Sequence, residues 1–186
     1  MFVMPGSVVQ DTAAGMGSDT HYVLRSGSYR QTRTMDWSHY RFRSVWNVPA
    51  PPADVYAALE RAEDYPAWWP QVREVTPLDG RSGTARFRSL LPYDLLVTAE
   101  ERRRDPEAGI LEIVMTGDLD GWARWTLTAV TGGTRAVYDQ EVVVRKPLMR
   151  RLAVPGRPVF LLNHALMMRA GERGLKKHLG RDLRGV

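Results

Sequence analysis

The chain has no cysteine, and none of its apolar runs approaches the roughly 18 residues that a membrane-spanning helix needs. Without cysteine there is no disulfide, no thiol nucleophile and no cysteine-ligated metal, which fits a reducing compartment. The first residues also lack the basic and apolar regions of a secretory signal. The sequence therefore predicts a cytoplasmic protein, and it gives no reason to expect a cofactor.

Lysine is scarce as well, because only three of the 26 basic residues are lysine and the rest are arginine. Residues 1–144 carry 15 basic and 19 acidic side chains, whereas residues 145–186 carry 11 and 2. A basic tail can attract a membrane surface or RNA. The basic residues of this tail lie on the solvent side of an amphipathic helix, which already explains them. Contact with a membrane surface or RNA is therefore a less favoured interpretation, and no DNA binding is expected.

At 186 residues the chain is long enough for one domain with a substantial core and short for two. Residues 1–35 contain many Gly, Ser and Pro punctuators and little periodic apolar content, which predicts a largely mobile N-terminal extension. The domain is expected over residues 36–186.

Alternating apolar residues mark the first strand of this domain. Tyr40, Phe42, Trp46 and Val48 fall on one face of residues 40–48, the pattern of a half-buried strand. Prolines after this strand then predict two short helices, the first beginning near residue 51 and the second around residues 68–70.

Six more strands follow, each ended by residues typical of turns, such as Asp-Gly, Asp-Pro and Gly-Gly. Short loops between alternating strands predict antiparallel hairpins in series. The predicted strands span approximately residues 71–78, 83–90, 94–104, 109–116, 121–130 and 134–145. Their alternation directs these side chains inward: Phe87, Leu95, Val97, Trp125, Leu127, Tyr138, Gln140 and Val142.

One long amphipathic helix is predicted from about residue 158 to residue 179, with charged residues on one side. Its opposite side carries Phe160, His164, Met167, Gly171 and Leu175, flanked by Asn163 and Met168. Leu162 and Leu166 fall on the polar side. We therefore expect another surface to cover them, either the N-terminal extension or the second subunit of a homodimer.

This order of elements predicts an α+β helix-grip fold: a curved seven-stranded antiparallel sheet around a long C-terminal helix, with two short helices after the first strand. A strongly bent sheet cannot fill its concave side with its own side chains. The space left between the sheet and the helix is expected to form a cavity.

Five segments, in this order, resemble the polyketide cyclase/dehydrase and lipid-transport group of the START-like, or helix-grip, superfamily (SRPBCC). They are residues 48–56, 64–72, 117–127 and 132–135, and Asn163-His164 with Met167-Met168. The resemblance covers about residues 36–180. It implies an enclosed apolar pocket for a polyketide-, lipid- or polycyclic-like molecule, and it carries no universal catalytic motif.

The predicted cavity residues are Phe42, Trp46, Trp69, Phe87, Trp125, Tyr138, Gln140, Phe160, Asn163, His164 and Met167. His164 is the sharpest candidate, since imidazole can act as acid, base or hydrogen-bond donor near neutral pH. The alternative is a core histidine bonded to a carbonyl. Tyr138, Gln140 and Asn163 could orient the oxygens of a ligand, or could bond one another.

Other chemistry is not indicated. Asp118 and Asp120 lie in a Gly-Asp-Leu-Asp-Gly segment and are interpreted as turn residues. The four histidines lack the spacing of metal ligands, and neither a phosphate-binding loop nor a serine nucleophile elbow is present.

The leading hypothesis is a binding or transport protein for a hydrophobic small molecule. The alternative is a polyketide cyclase or dehydratase in which His164, Tyr138 or Gln140 assists enolisation or loss of water. The third hypothesis is an interaction domain that uses the basic C-terminal region on RNA or a membrane surface.

Overall fold

The computed structural model describes residues 38–88, 94–145 and 156–182. The predicted N-terminal extension therefore lies outside the described residues. Within them, the chain forms β1 (His39–Val48), α1 (Pro52–Glu60), a 3-10 turn (Ala62–Asp64), α2 (Tyr65–Trp68), β2 (Val72–Pro77), β3 (Ser82–Arg88), β4 (Asp94–Asp105), β5 (Ile110–Gly117), β6 (Leu119–Val130), β7 (Gly133–Val144) and α3 (Arg157–Asp182).

The seven strands form one antiparallel sheet in the order β1-β7-β6-β5-β4-β3-β2. Strands β2 to β7 follow each other as hairpins, and β1 pairs with the last strand, so that Phe42 lies opposite Gln140 and Trp46 opposite Ala136. The helix-grip prediction is confirmed: a curved sheet of seven strands accompanies two short helices and a long C-terminal helix.

The connection between β5 and β6 is shorter than predicted, because Asp118 alone separates the two strands. The carboxylate of Asp118 accepts a hydrogen bond from the Leu96 amide, and that of Asp120 accepts one from the Gly117 amide. Asp118 lies in the connection, as predicted, whereas the interpretation of Asp120 as a turn residue is wrong, because it belongs to β6 and lies opposite Val143. Gly121 belongs to β6, where its φ is 153° and a methyl group added to it would meet the carbonyl oxygen of Glu141.

Two glycines allow α3 to approach the short helix α2 closely. A methyl group at Gly171 would meet the ring of Trp69, and one at Gly174 would meet the carbonyl oxygen of Trp68. The indole Nε1 of Trp69 also donates a hydrogen bond of 3.1 Å to the carbonyl of Met167. These contacts fix the middle of α3 against α2 and the residue that follows it.

The start of α3 presents apolar residues to solvent. Leu162 is 58% exposed, whereas Leu166 is half-buried, and no other described part of the chain covers Leu162. The surface that was predicted to cover these residues lies outside the described part of the chain. Among the described helices, none combines the length and apolar character needed to cross a bilayer.

Candidate ligand-binding site

Two groups of packed apolar residues lie between the sheet and α3. One is centred on Trp46, Trp69 and Trp125, and the other on Tyr40, Met115 and Phe160. Phe87 and Tyr138 pack against both groups. A cavity of about 360 Å³ lies beside them, which is the size of a site for a small organic molecule.

Most of the side chains predicted from the sequence to face a cavity meet at this one. Its wall includes Phe42, Trp69, Phe87, Trp125, Tyr138, Gln140, Phe160, Asn163, His164 and Met167. Trp46 is not part of the wall. It lies behind it, 1% exposed, with its ring centroid 4.6 Å from that of Trp125 and 5.4 Å from that of Trp69.

Several lining residues were not identified from the sequence. Tyr40 and Met115 line the cavity, and each has an inward position on its strand, so alternation carried a signal for both. Tyr65 also lines the cavity, but it follows the 3-10 turn, where neither helical nor strand periodicity indicates a facing. Its hydroxyl donates a hydrogen bond to the carbonyl of Leu59, so its polar end is already satisfied.

His164 projects from α3 into an aromatic stack. Its ring lies 3.8 Å from that of Phe42 at an interplanar angle of 15°, and 6.2 Å from the ring of Tyr138. Its Nε2 atom is buried and has no hydrogen-bond partner among the described residues. Burial away from water lowers the pKa of His164 to about 4, so the imidazole is neutral at neutral pH. Among the described residues, Nε2 of His164 therefore does not form the hydrogen bond to a carbonyl that the alternative interpretation predicted.

Tyr138 and Gln140 lie two positions apart on β7, and both line the cavity. Burial raises the pKa of the Tyr138 phenol, which keeps it protonated. Its ring also packs 4.8 Å from that of Trp125. Gln140 is 8% exposed and stands between Phe42 on β1 and Ala123 on β6. This wall is thus apolar with a few uncharged polar groups.

Charged side chains border the cavity on its exposed side, and we call Glu60, Arg81, Glu101 and Arg104 the charged rim. Arg104 links two elements, since it lies 3.3 Å from Glu60 of α1 and 2.7 Å from Glu101 of its own strand. Arg81 lies 3.8 Å from Glu101. Arg81 and Arg104 of the charged rim are therefore matched by carboxylates, while Arg88 and Arg103 also line the cavity.

The described residues contain no group of three histidine, aspartate or glutamate side chains arranged to hold a metal ion. The chemistry that the described wall offers is apolar contact, ring stacking and hydrogen bonding by neutral groups. Those are the properties of a site that encloses an uncharged, largely apolar molecule.

The fold and the family that its sequence matches define a helix-grip protein of the START-like superfamily. Residues 48–167 match the model of the family described as polyketide cyclase / dehydrase and lipid transport. The chain belongs to that family, and the resemblance predicted from the sequence is confirmed. A search of curated proteins gave no match.

Solved structures share the fold at low sequence identity. The Zhui aromatase/cyclase from Streptomyces sp. R1128 is 13% identical, with a TM-score of 0.61 over 78% of this chain and 94% of that chain. A START superfamily protein from Mycobacterium smegmatis is 14% identical, with a TM-score of 0.58 over 77% and 97%. The di-domain ARO/CYC BexL from the BE-7585A biosynthetic pathway is 17% identical, with a TM-score of 0.60. The match covers 78% of this chain but only 51% of BexL, about half its length.

Proposed function

We propose that this protein binds an apolar small molecule, of polyketide, lipid or polycyclic type, in the cavity between the sheet and α3. The observation that carries the proposal is the cavity itself, about 360 Å³, lined mainly by aromatic and aliphatic side chains with a few neutral polar groups and bordered by charged side chains. Membership of a family that includes lipid-transport proteins supports the same function. The predicted cytoplasmic location and the predicted homodimer remain predictions.

The pKa values of the titratable groups in the wall favour a binding function over catalysis of cyclisation or dehydration. A general acid or base works best when its pKa lies near the operating pH. Burial moves the pKa of His164 down to about 4 and moves that of Tyr138 up, away from neutrality in both cases. Both groups are therefore poor proton-transfer catalysts at neutral pH, although both can form hydrogen bonds to a ligand. The aromatase/cyclase neighbours keep the enzymatic alternative open to test.

The proposal is tested by filling the cavity from one strand. Ala123 of β6 is 5% exposed and lines the cavity, whereas Ala129 of the same strand is exposed. We expect Ala123→Phe to weaken binding of the neutral fluorescent probe N-phenyl-1-naphthylamine at least tenfold. The matched Ala129→Phe variant should bind the probe as the wild-type protein does.

Thermal unfolding of the same two variants gives a second measurement. A phenyl ring that enters an empty cavity leaves the melting temperature near that of the wild type, whereas overpacking of a filled core costs about 1–3 kcal/mol. Absence of probe binding to the wild-type protein, together with marked destabilisation by Ala123→Phe, would contradict the proposal. For the enzymatic alternative, His164→Phe and Tyr138→Phe should lose turnover of a poly-β-ketone while retaining product binding.

A further inference from the structure

The stack formed by Phe42, His164 and Tyr138 contains a polar atom to which no described residue forms a hydrogen bond. The Nε2 atom of His164 is buried and lacks a hydrogen-bond partner among the described residues. A buried polar group without a partner is costly, and most such groups in folded proteins are satisfied by protein, water or a ligand. Stacking against Phe42 and Tyr138 requires a ring at position 164 but not a polar one. Packing alone therefore does not explain why this residue is a histidine.

The imidazole can present a nitrogen to the cavity without disturbing the stack. His164 is one of the lining residues, and its ring lies nearly parallel to that of Phe42, with centroids 3.8 Å apart. A half-turn about the Cβ–Cγ bond interchanges Nε2 with the ring carbon Cε1 and keeps the ring plane on Phe42, now with the opposite face of the imidazole against it. Which ring nitrogen carries the proton is set by the partner it meets.

The surroundings of this nitrogen favour an uncharged partner. The charged residues bordering the cavity include those of the rim, and no described cation is hydrogen-bonded to, or stacked on, His164. The neighbours Phe42 and Tyr138 are neutral rings, and Gln140 is a neutral amide. An ionised carboxylate brought here would lose its hydration without gaining an opposite charge, which is unfavourable.

We propose that His164 selects ligands: it forms a hydrogen bond with a hydroxyl or carbonyl oxygen carried by a flat, uncharged, aromatic ligand that lies against the aromatic wall. The inference rests on the proposed binding function and names the ligand class of the same cavity. Tyr138 and Gln140 then act as neighbours that shape the site.

The test compares 2-naphthol with naphthalene, because the two probes share a ring system and differ by one hydroxyl. Their affinities are measured by displacement of N-phenyl-1-naphthylamine, and the ratio of the two dissociation constants is the readout. His164→Phe keeps a ring against Phe42 and removes both nitrogens. In this variant we expect the ratio of the naphthalene dissociation constant to the 2-naphthol dissociation constant to fall about 3- to 10-fold. The affinity for naphthalene itself should change less than twofold.

Three further measurements make the result specific. Ala129→Phe, at an exposed position of β6, should leave the preference within twofold of the wild-type value, and His164→Gln, which retains hydrogen-bonding groups, should restore part of what His164→Phe loses. The anion 2-naphthoate should bind the wild-type protein at least tenfold more weakly than 2-naphthol.

The outcomes separate this inference from the function on which it rests. If neither naphthalene nor 2-naphthol displaces the probe, the proposed binding function fails. If both bind but the preference is unchanged in His164→Phe, the role of His164 is overturned while the binding function stands. Tighter binding of 2-naphthoate would overturn the uncharged ligand class.

Discussion

At the scale of single residues, His164 combines burial, stacking and a missing hydrogen bond. Its pKa of about 4 lies below the ordinary value of 6.5 because burial disfavours the charged form. The unfolded chain therefore binds a proton in a range where the folded protein does not. Stability from this residue is complete above about pH 6.5 and is lost as the pH falls toward 4.

We predict that His164→Phe makes the protein less sensitive to acid. With about 1.4 kcal/mol for each pKa unit, the wild type should lose on the order of 2–3 kcal/mol more free energy of unfolding than the variant between pH 7 and pH 4.5. Urea titrations at both pH values measure this difference. Carboxylates with lowered pKa values, such as that of Glu141 beside Arg41, also weaken at acid pH, but they are common to both proteins. Parallel pH profiles of the two proteins would refute the assignment.

Thr134 illustrates a second residue-scale effect, a buried hydroxyl with one partner. The side chain is 0% exposed, and its hydroxyl donates a hydrogen bond of 2.7 Å to the carbonyl of Ala50. This bond holds β7 to the segment that leads into α1.

We predict that Thr134→Val lowers the free energy of unfolding by about 1 kcal/mol, because the Ala50 carbonyl loses its buried partner while the side-chain volume is kept. The exposed Thr128 on β6 provides the control, and Thr128→Val should change stability by less than about 0.5 kcal/mol. Chemical denaturation of both variants is the measurement. Equal effects at the two positions would contradict the role of the Thr134 hydroxyl.

At the scale of elements, the contact between α2 and α3 explains how a four-residue helix persists. So short a helix is not stable alone, because nucleation costs more than its few hydrogen bonds return. Trp68 and Trp69 are 6% and 5% exposed, and α3 approaches both where it carries glycine. Glycine is a poor helix residue, by about 1 kcal/mol relative to alanine. Its presence at positions 171 and 174 is explained by this close approach.

We predict opposite effects of alanine at two glycines of α3. Gly174→Ala should lower the free energy of unfolding by about 1–3 kcal/mol, because the added methyl group meets the backbone carbonyl of Trp68. Gly180→Ala should raise it by up to about 1 kcal/mol, because nothing lies within 4 Å of the added methyl group and alanine favours the helix. Thermal unfolding followed by circular dichroism compares the two. If both substitutions raised the free energy of unfolding, the close approach of α2 and α3 at Gly174 would not require glycine, and the prediction would be wrong.

At the scale of the whole molecule, the sheet and α3 act as two walls around an incompletely filled interior. A molecule that occupies this space binds the folded state alone and shifts the unfolding equilibrium by mass action. Stability should then depend on the concentration of an apolar ligand as well as on the interactions within the chain.

We predict that N-phenyl-1-naphthylamine raises the free energy of unfolding by about 2.7 kcal/mol at one hundred times its dissociation constant. Ala129→Phe should show the same gain, and Ala123→Phe should gain at most about 1.4 kcal/mol at that concentration, since its affinity for the probe is at least tenfold weaker. Urea unfolding with and without the probe measures the effect. A gain of equal size in both variants would mean that the probe binds elsewhere.

The sequence by itself determined the order and type of the elements and the direction in which most of their side chains point. Alternation along residues 40–48 and helical spacing from Phe160 to Leu175 are local patterns, because burial on one face repeats with the period of the backbone. Ten of the lining residues were therefore accessible to prediction, among them His164, Tyr138 and Gln140.

Only the tertiary structure decided what happens between the elements. It put Trp46 behind the wall and Tyr65 in it, gave Nε2 of His164 no partner among the described residues, and matched Arg81 and Arg104 of the charged rim with carboxylates. These outcomes depend on distances between residues far apart in the chain. Periodicity reports which face of an element is buried, but the space that remains between two buried faces depends on how closely the whole sheet and helix can approach.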